Sequence, residues 1–457
     1  MKTPHDTAPI TMKALLVAVQ LPGVTDEDHQ GSIAELGRLV ETLGHPVAKV
    51  FTQKRAKIES GTVVGRGKMD EIRAFYAPSD ALIVTDDPEA DAIAAEEAAE
   101  AAEEAAEAEK DDGFVTDAPY VLVLDHDLTP TQTRNLHKHT GLAILDRTAV
   151  ILEIFNRHAK TREARLQVEI ARLAYLTPRV RDAGTGDRQR GGVGGRGVGE
   201  TAHELDRRRI RDRISQLKRE LEAIHKDNSA RRVQRQEQAL VALVGYTNAG
   251  KSSLMRELTR SDVLVADKLF ATLETTVRAM QPEGPQRILV SDTVGFIKKL
   301  PHDLVASFRS TLDEALDAGL LLFMVDASDP TFRSQLAVTR EVLAEIGADQ
   351  DSLLVLNKWD RVPEESRRPL KAEYPEALTI SALDPTDVTY VRGVITDFFE
   401  RDWIEADVTI PYEKGQFAHQ LRTTMRVLKE ETNDDGYQFR VKAPPAKIER
   451  FRTVLAT

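Results

Sequence analysis

Residues 239–252 constrain this chain more than any other stretch. Six apolar residues, Ala239 to Val244, run into Gly245-Tyr246-Thr247-Asn248-Ala249-Gly250-Lys251-Ser252, and an apolar-periodic helical stretch follows. This is G-x-x-x-x-G-K-S between a strand and a helix, the context in which the pattern has a physical meaning. The glycines let backbone N–H groups turn inward onto phosphates, and the start of the helix adds partial positive charge. Lys251 is placed to reach the β- and γ-phosphates, and the Ser252 hydroxyl to ligate Mg²⁺. The fold implied is a parallel-sheet α/β core with helices on both faces.

Three further motifs follow at strand ends. Arg287 to Ser291 reads as a strand and ends in Asp292-Thr293-Val294-Gly295, D-x-x-G. Its aspartate can hold Mg²⁺, and the Gly295 amide can sense the γ-phosphate and release its loop on hydrolysis. Leu353 to Leu356 reads as a strand ending in Asn357-Lys358-Trp359-Asp360. A carboxylate at Asp360 can accept from guanine N1–H and the exocyclic amine together, whereas adenine presents neither donor. A site built to pair such groups rejects a partner lacking them by about 10⁴–10⁵. Asn357 braces the neighbouring loop, and the Lys358 stem covers the base. Ser381-Ala382-Leu383, after the strand Leu378 to Ile380, supplies the last base loop. The substrate expected is therefore GTP rather than ATP.

Between the first two motifs lies Phe270-Ala271-Thr272-Leu273-Glu274-Thr275-Thr276. One threonine here must give the second Mg²⁺ hydroxyl; Thr272 is preferred, with Thr275 and Thr276 as alternatives that can equally begin a strand. Lys251, Thr272 and Gly295 form the expected catalytic set, and Ser252 and Thr272 the expected metal ligands. Phe296 stands where many GTPases carry a water-orienting glutamine. It has no donor or acceptor, so hydrolysis is expected to be slow until a partner or a loop rearrangement completes the site.

The 457 residues exceed one ordinary core. The divisions expected are 1–143, an α/β domain; 144–238, a long antiparallel helical hairpin; and 239–403, the nucleotide domain. Strands are read at Ala14 to Val19, Val47 to Thr52, Ala81 to Thr85 and Tyr120 to Leu124, with a helix from Ser32 to Thr42. Residues 86–112 hold 13 acids and one lysine, which accounts for the whole net charge of −12. This Ala/Glu run is read as a solvated insertion. Heptad-spaced Leu145, Leu152, Ala159, Leu166 and Leu173 suggest one helix over 144–177, and Ile210, Ile214, Leu217, Leu221 and Ile224 a second. Between them, 184–199 carry eight glycines, and 178–199 have a net charge of +3. A cationic, side-chain-poor tip suits close approach to RNA phosphates, although a plain linker has the same composition. The chain has no Cys, which excludes disulfides and thiolate metal sites. No run long enough to span a membrane is read, and no secretory signal is seen. A cytoplasmic protein is expected.

Over nearly its whole length the chain resembles the HflX family of ribosome-associated GTPases. The likeness is carried by Gly65-Arg66-Gly67-Lys68, Leu128-Thr129-Pro130-Thr131-Gln132-Thr133-Arg134-Asn135-Leu136, Asp146-Arg147-Thr148, and Leu166-Gln167-Val168-Glu169. To these are added the 191–208 stretch GGVGGRGVGETAHELDRR, Leu269-Phe270-Ala271-Thr272-Leu273, and Asp292 to Phe296. The resemblance implies GTP/GDP and Mg²⁺ as ligands and Thr272 as the metal-ligating threonine. It also implies a small C-terminal α/β domain over 404–457, binding to the large ribosomal subunit with the hairpin tip near rRNA, and a part in separating ribosomal subunits; a monomer is expected. Large-subunit assembly, or ATP-driven RNA remodelling through the N-terminal domain, are alternative roles. Val198 and Ala202-His203 depart from the usual pattern at the tip. Gly65 to Lys68, a region discussed for ATP in the family, is read here as a plain glycine turn.

Overall fold

The computed structural model describes residues 12–77, 119–179, 202–233, 239–261, 269–270, 276–298, 315–433 and 435–456. The strand expected over 81–85, the acidic insertion 86–112 and the Gly/Arg-rich segment 184–199 lie outside the described residues. By contacts the chain divides into two units, Met1–Arg157 with Arg165–Leu221, and His158–Ala164 with Glu222–Thr457. The four-part division read from sequence is finer and stays a proposal.

In the first unit, strands β1 (Lys13–Gln20), β2 (Val47–Lys54), β3 (Tyr120–Leu124) and β4 (Ala143–Asp146) form one sheet in the order β2-β1-β3-β4, all parallel. β1 is buried along almost its whole length, as a central parallel strand should be. Helix α1 (Asp26–Thr42) starts six residues before the Ser32 read from sequence. Thr25 caps it, accepting from the Asp28 N–H at 3.0 Å, and three acids fill its first turn. Helix α2 (Arg66–Tyr76) takes Gly65 as its N-cap, so Arg66 to Lys68 is a helix start rather than the glycine turn expected. Helix α3 (Pro130–Thr140) carries a full capping box, with Thr129 and Gln132 reciprocally bonded.

The single helix expected over 144–177 is corrected. Leu145 belongs to β4, and two helices follow, α4 (Arg147–His158) and α5 (Arg162–Leu176). Asp146 caps the first through the Ala149 N–H at 2.8 Å, and Thr161 Oγ1 accepts from the Ala164 N–H at 3.2 Å to start the second. The seven-residue seam ran across these caps and hid them. Helix α6 (Ala202–Val233) is the second seamed helix, in which Leu217 is buried, and its Arg213 pairs with Glu169 of α5 at 2.9 Å.

In the second unit, β5 (Ala239–Gly245), β6 (Thr276–Ala279), β7 (Ile288–Asp292), β8 (Leu320–Asp326), β9 (Ser352–Asn357) and β10 (Leu378–Thr379) form a six-stranded sheet. Its order is β10-β9-β8-β5-β7-β6, parallel except for β6. One sheet face, with Val241, Leu243, Leu322 and Met324, packs with Leu254 and Leu258 of α7 (Lys251–Thr259) and Val391 and Ile395 of α10 (Pro385–Phe399). Each such buried side chain contributes roughly 1.5–3 kcal/mol. The alternate residue Phe323 meets Arg340 of α8 (Phe332–Glu345), which places that helix on the opposite face. Helix α9 (Glu364–Glu373) follows β9. The chain ends in an antiparallel sheet, β11 (Ile404–Ile410), β12 (Arg426–Asn433) and β13 (Gly436–Ala443), ordered β11-β13-β12. Helices α11 (Gln416–Thr424) and α12 (Pro445–Ala456) share its core of Val408, Leu421, Phe439, Ile448 and Phe451. Buried Glu400, just past α10, pairs with Arg426 of β12 at 2.6 Å. Among the described residues, no helix is long and apolar enough to cross a membrane.

Candidate nucleotide site

β5 pairs with β7 on one side and β8 on the other, so the connections leaving its carboxyl end diverge and open a crevice there. Every described nucleotide motif of the second unit ends at this edge. Gly245 to Gly250 form the loop, and α7 begins at Lys251 with no side-chain cap on its first amides. An anion is the natural partner for such a helix start.

Lys251 is buried, and its Nζ donates to the carbonyls of Gly245 (3.0 Å) and Tyr246 (2.8 Å). Two of its three donors thus fix its position, leaving the third to reach outward. Burial pushes its pKa down to about 8, partly opposed by the charge of Asp292. Thr247 Oγ1 is also buried and has no hydrogen-bond partner among the described residues. Gly250 has φ +96°, and a Cβ there would sit 2.1 Å from Asn357 Nδ2. Only glycine lets the phosphate loop and the base loop come this close.

The D-x-x-G segment lies against the phosphate loop. Thr247 N–H donates to Phe296 O (2.8 Å), and Phe296 N–H donates to Gly245 O (3.1 Å). The Lys298 amide donates to the Tyr246 hydroxyl. A Cβ on Gly295 would stand 2.8 Å from Thr247 Cα and 3.0 Å from Lys251 Nζ, so its backbone is at the phosphate end of the site. Thr293 and Val294 are buried, and the Thr293 hydroxyl bonds Leu243 O at 2.8 Å. Those two residues brace the segment through their side chains.

Ser252 Oγ donates to Asp292 Oδ2 at 2.6 Å. A hydroxyl and a carboxylate side by side are hard oxygen donors of the kind Mg²⁺ takes. Among the described residues no cluster of three or more His, Cys, Asp or Glu offers a rival metal site. Of the intervening segment, Leu269 and Phe270 are described and buried, with Phe270 at φ +57°. Ala271, Thr272, Leu273, Glu274 and Thr275 lie outside the described residues. Thr276 is in β6, paired with Asp292 across the ladder.

At the base end, Asn357 is buried and joins three motifs. Its Nδ2 donates to Ala249 O (2.8 Å), and its Oδ1 accepts from the Ala382 N–H (2.9 Å). Trp359 N–H donates to Ile380 O at 3.0 Å, tying the Asn357-to-Asp360 turn to the loop of Ser381, Ala382 and Leu383. Asp360 is exposed, and Leu383 is 67% exposed at the loop apex. Two residues that sequence reasoning missed support these loops. Asp387 of α10 accepts from the Ser381 N–H at 2.7 Å. Asp326, the last residue of β8, accepts from Lys358 Nζ at 2.7 Å. The only signal available for either was an acid just after an apolar run or in a helix's first turn.

A parallel sheet with a phosphate loop, a D-x-x-G segment and a base loop at one edge defines a P-loop GTPase. Residues 240–358 match a family profile described as "50S ribosome-binding GTPase", 158–235 one described as "GTP-binding GTPase Middle Region", and 30–92 with 95–156 one described as "GTP-binding GTPase N-terminal". The chain is 51% identical over 453 residues to "GTPase HflX" of Gluconacetobacter diazotrophicus, covering 99% of each chain. It is 32% identical over 450 residues to "GTPase HflX" of Caldanaerobacter subterraneus subsp. tengcongensis, covering 97% of this chain and 94% of the other. A GDP complex of a GTP-binding protein from Sulfolobus solfataricus overlays with a TM-score of 0.42 at 22% identity, covering 85% of this chain and 100% of the other. The chain belongs to the HflX family of GTPases.

Proposed function

We propose that this GTPase is a Mg²⁺-dependent switch that binds the large ribosomal subunit in its GTP state and acts in splitting or rescuing stalled ribosomes, as a cytoplasmic monomer. The observation that carries the reading is the meeting of phosphate loop, D-x-x-G segment and guanine loop at one sheet edge, the first two within residues 240–358 that match the 50S ribosome-binding profile.

Ser252 and Thr272 would hold Mg²⁺, which when bound would supply positive charge against the phosphates. The protein's own groups do the rest. Lys251, held by two carbonyls, turns its free donor to the phosphates, and the Gly295 amide registers the γ-phosphate. Gly245 to Gly250 wrap the phosphate chain with their amides. Asp360 pairs guanine, Asn357, Trp359 and the Ser381-to-Leu383 loop hold that turn in place, and Lys358 covers the base. Phe296 is buried and carries no polar atom, so no side chain at that position orients the attacking water. Hydrolysis therefore waits on a group or a rearrangement supplied by the ribosome. The net positive charge of 178–199 supports rRNA as the surface met by the tip.

Sedimentation of intact ribosomes with the protein and a non-hydrolysable GTP analogue tests this reading. Dissociation into subunits with protein on the large one is expected. Pelleting only with precursor particles would move the role to assembly. In parallel, GTP turnover should rise at least tenfold with large subunits, and turnover that is rapid and indifferent to them would overturn the mechanism.

A further inference from the structure

Asp326 ends β8 in the sequence Val325-Asp326-Ala327-Ser328-Asp329, with no motif to mark it. In the fold it meets Lys358, 32 positions away, at 2.7 Å, and both side chains are less than one-fifth exposed. Its other oxygen is fixed as well, accepting from the Ser328 N–H (3.0 Å) and Ser328 Oγ (2.5 Å). The Ala327 N–H donates to Asn357 O at 3.0 Å, so the segment carrying Asp326 is bonded to the residue before Lys358. Lys358 itself is held at φ +57°, a left-handed conformation that a lysine seldom adopts and that needs surrounding support.

This arrangement solves a problem internal to the base loop. Lys358 lies two residues before Asp360, the carboxylate read as the acceptor for guanine. A free ammonium there would compete with guanine for Asp360, because opposite charges so near along the chain attract each other. A second carboxylate on β8 takes the ammonium first, fixes the direction of the lysine stem, and leaves Asp360 to the base. We propose that Asp326 is a specificity-determining positioning residue: it holds Lys358 away from Asp360 and lays its stem where the purine stacks. The proposal rests on the reading of Asp360 as the guanine acceptor.

The test is a double-mutant cycle on the full chain, with GDP and ADP affinities measured by calorimetry in the presence of Mg²⁺. Asp326→Asn keeps the shape and removes the charge. It should weaken GDP about tenfold, with ADP barely changed and kcat for GTP at saturation unaltered. Lys358→Met keeps an apolar stem without the ammonium, so adding Asp326→Asn to it should cost less than twofold. An equal loss in both backgrounds would show that Asp326 acts only by bracing the β8 end, and an Asp326→Asn variant binding GDP like the parent would also overturn the proposal. Asp326→Ser, measured in the same two backgrounds, separates the same outcomes should the asparagine variant not fold. Asp360→Asn checks the underlying reading separately. If it leaves the preference for GDP over ADP intact, the guanine assignment fails whatever Asp326 does.

Discussion

The two parallel sheets place charge at their carboxyl ends in opposite ways. In the first unit, buried Arg147 reaches Glu35 at 2.7 Å and Asp125 at 2.8 Å, and Asp125 also accepts from Ser32 Oγ at 2.7 Å. Nearby Asp146 accepts from Tyr175, Arg179 and the amides of Leu128 and Ala149. Cation and carboxylate answer each other inside the protein. In the second unit the buried cation, Lys251, is held by two carbonyls, which fix it without cancelling its charge. The same sheet geometry thus yields a sealed end in one unit and an anion-ready end in the other. A charge matched internally is structural, whereas Lys251, held by carbonyl dipoles and offset only partly by the charge of Asp292, keeps its attraction for a ligand.

The largest test of this contrast is Arg147→Ala. Breaking a buried pair leaves its carboxylates uncompensated, at a cost of about 3–5 kcal/mol. Denaturant unfolding followed in the first unit should show this loss, while GDP affinity stays within about twofold. Lys251→Ala should do the reverse. Losing a charge-assisted contact of about 1.5–3 kcal/mol to each phosphate it meets, the protein should bind GDP about 10- to 150-fold more weakly in calorimetry, and GTP, met through two phosphates, more weakly still. Its nucleotide-free unfolding midpoint should hold or rise, because a desolvated ammonium has gone.

Gly295→Ala is a smaller perturbation and separates the phosphates. Its Cβ would crowd the Thr247 backbone, so the segment must withdraw. GTP affinity should fall about tenfold relative to GDP, on the order of 1.4 kcal/mol, in competition titrations.

The smallest effect is on pH. With its free-site pKa lowered to about 8, Lys251 is charged below that value and increasingly neutral above it. Bound phosphates favour the ammonium, so binding takes up a proton once the free lysine is deprotonated. Nucleotide affinity should be flat up to about pH 8 and then fall by at most about tenfold per unit.

The nucleotide motifs were legible because each is a short run whose chemistry fixes its own spacing. Strand, glycine loop and helix at 239–259 could hardly be read otherwise. The supports were not legible, because they follow no motif. Asp326 with Lys358 and Arg147 with Glu35 are distant in sequence and have no mark until the fold brings them together, and Asp387, six residues from Ser381, reads only as an acid in a helix's first turn. The break at 159–161 was hidden for another reason: an apolar seam continued across two local caps, Asp146 and Thr161, whose polar side chains outweigh periodicity at helix ends. The early start of α1 at Asp26 has the same cause, a threonine cap followed by acids rather than apolar residues.

Guanine recognition by Asp360, beside a phosphate grip at Lys251, is the claim from which the rest descends. Its most direct test is calorimetric titration of the full chain, with Mg²⁺, against GDP and ADP. At least about a thousandfold preference for GDP is expected, in line with sites that pair buried polar groups. Equal affinity for the two nucleotides, or no binding of either, would contradict it.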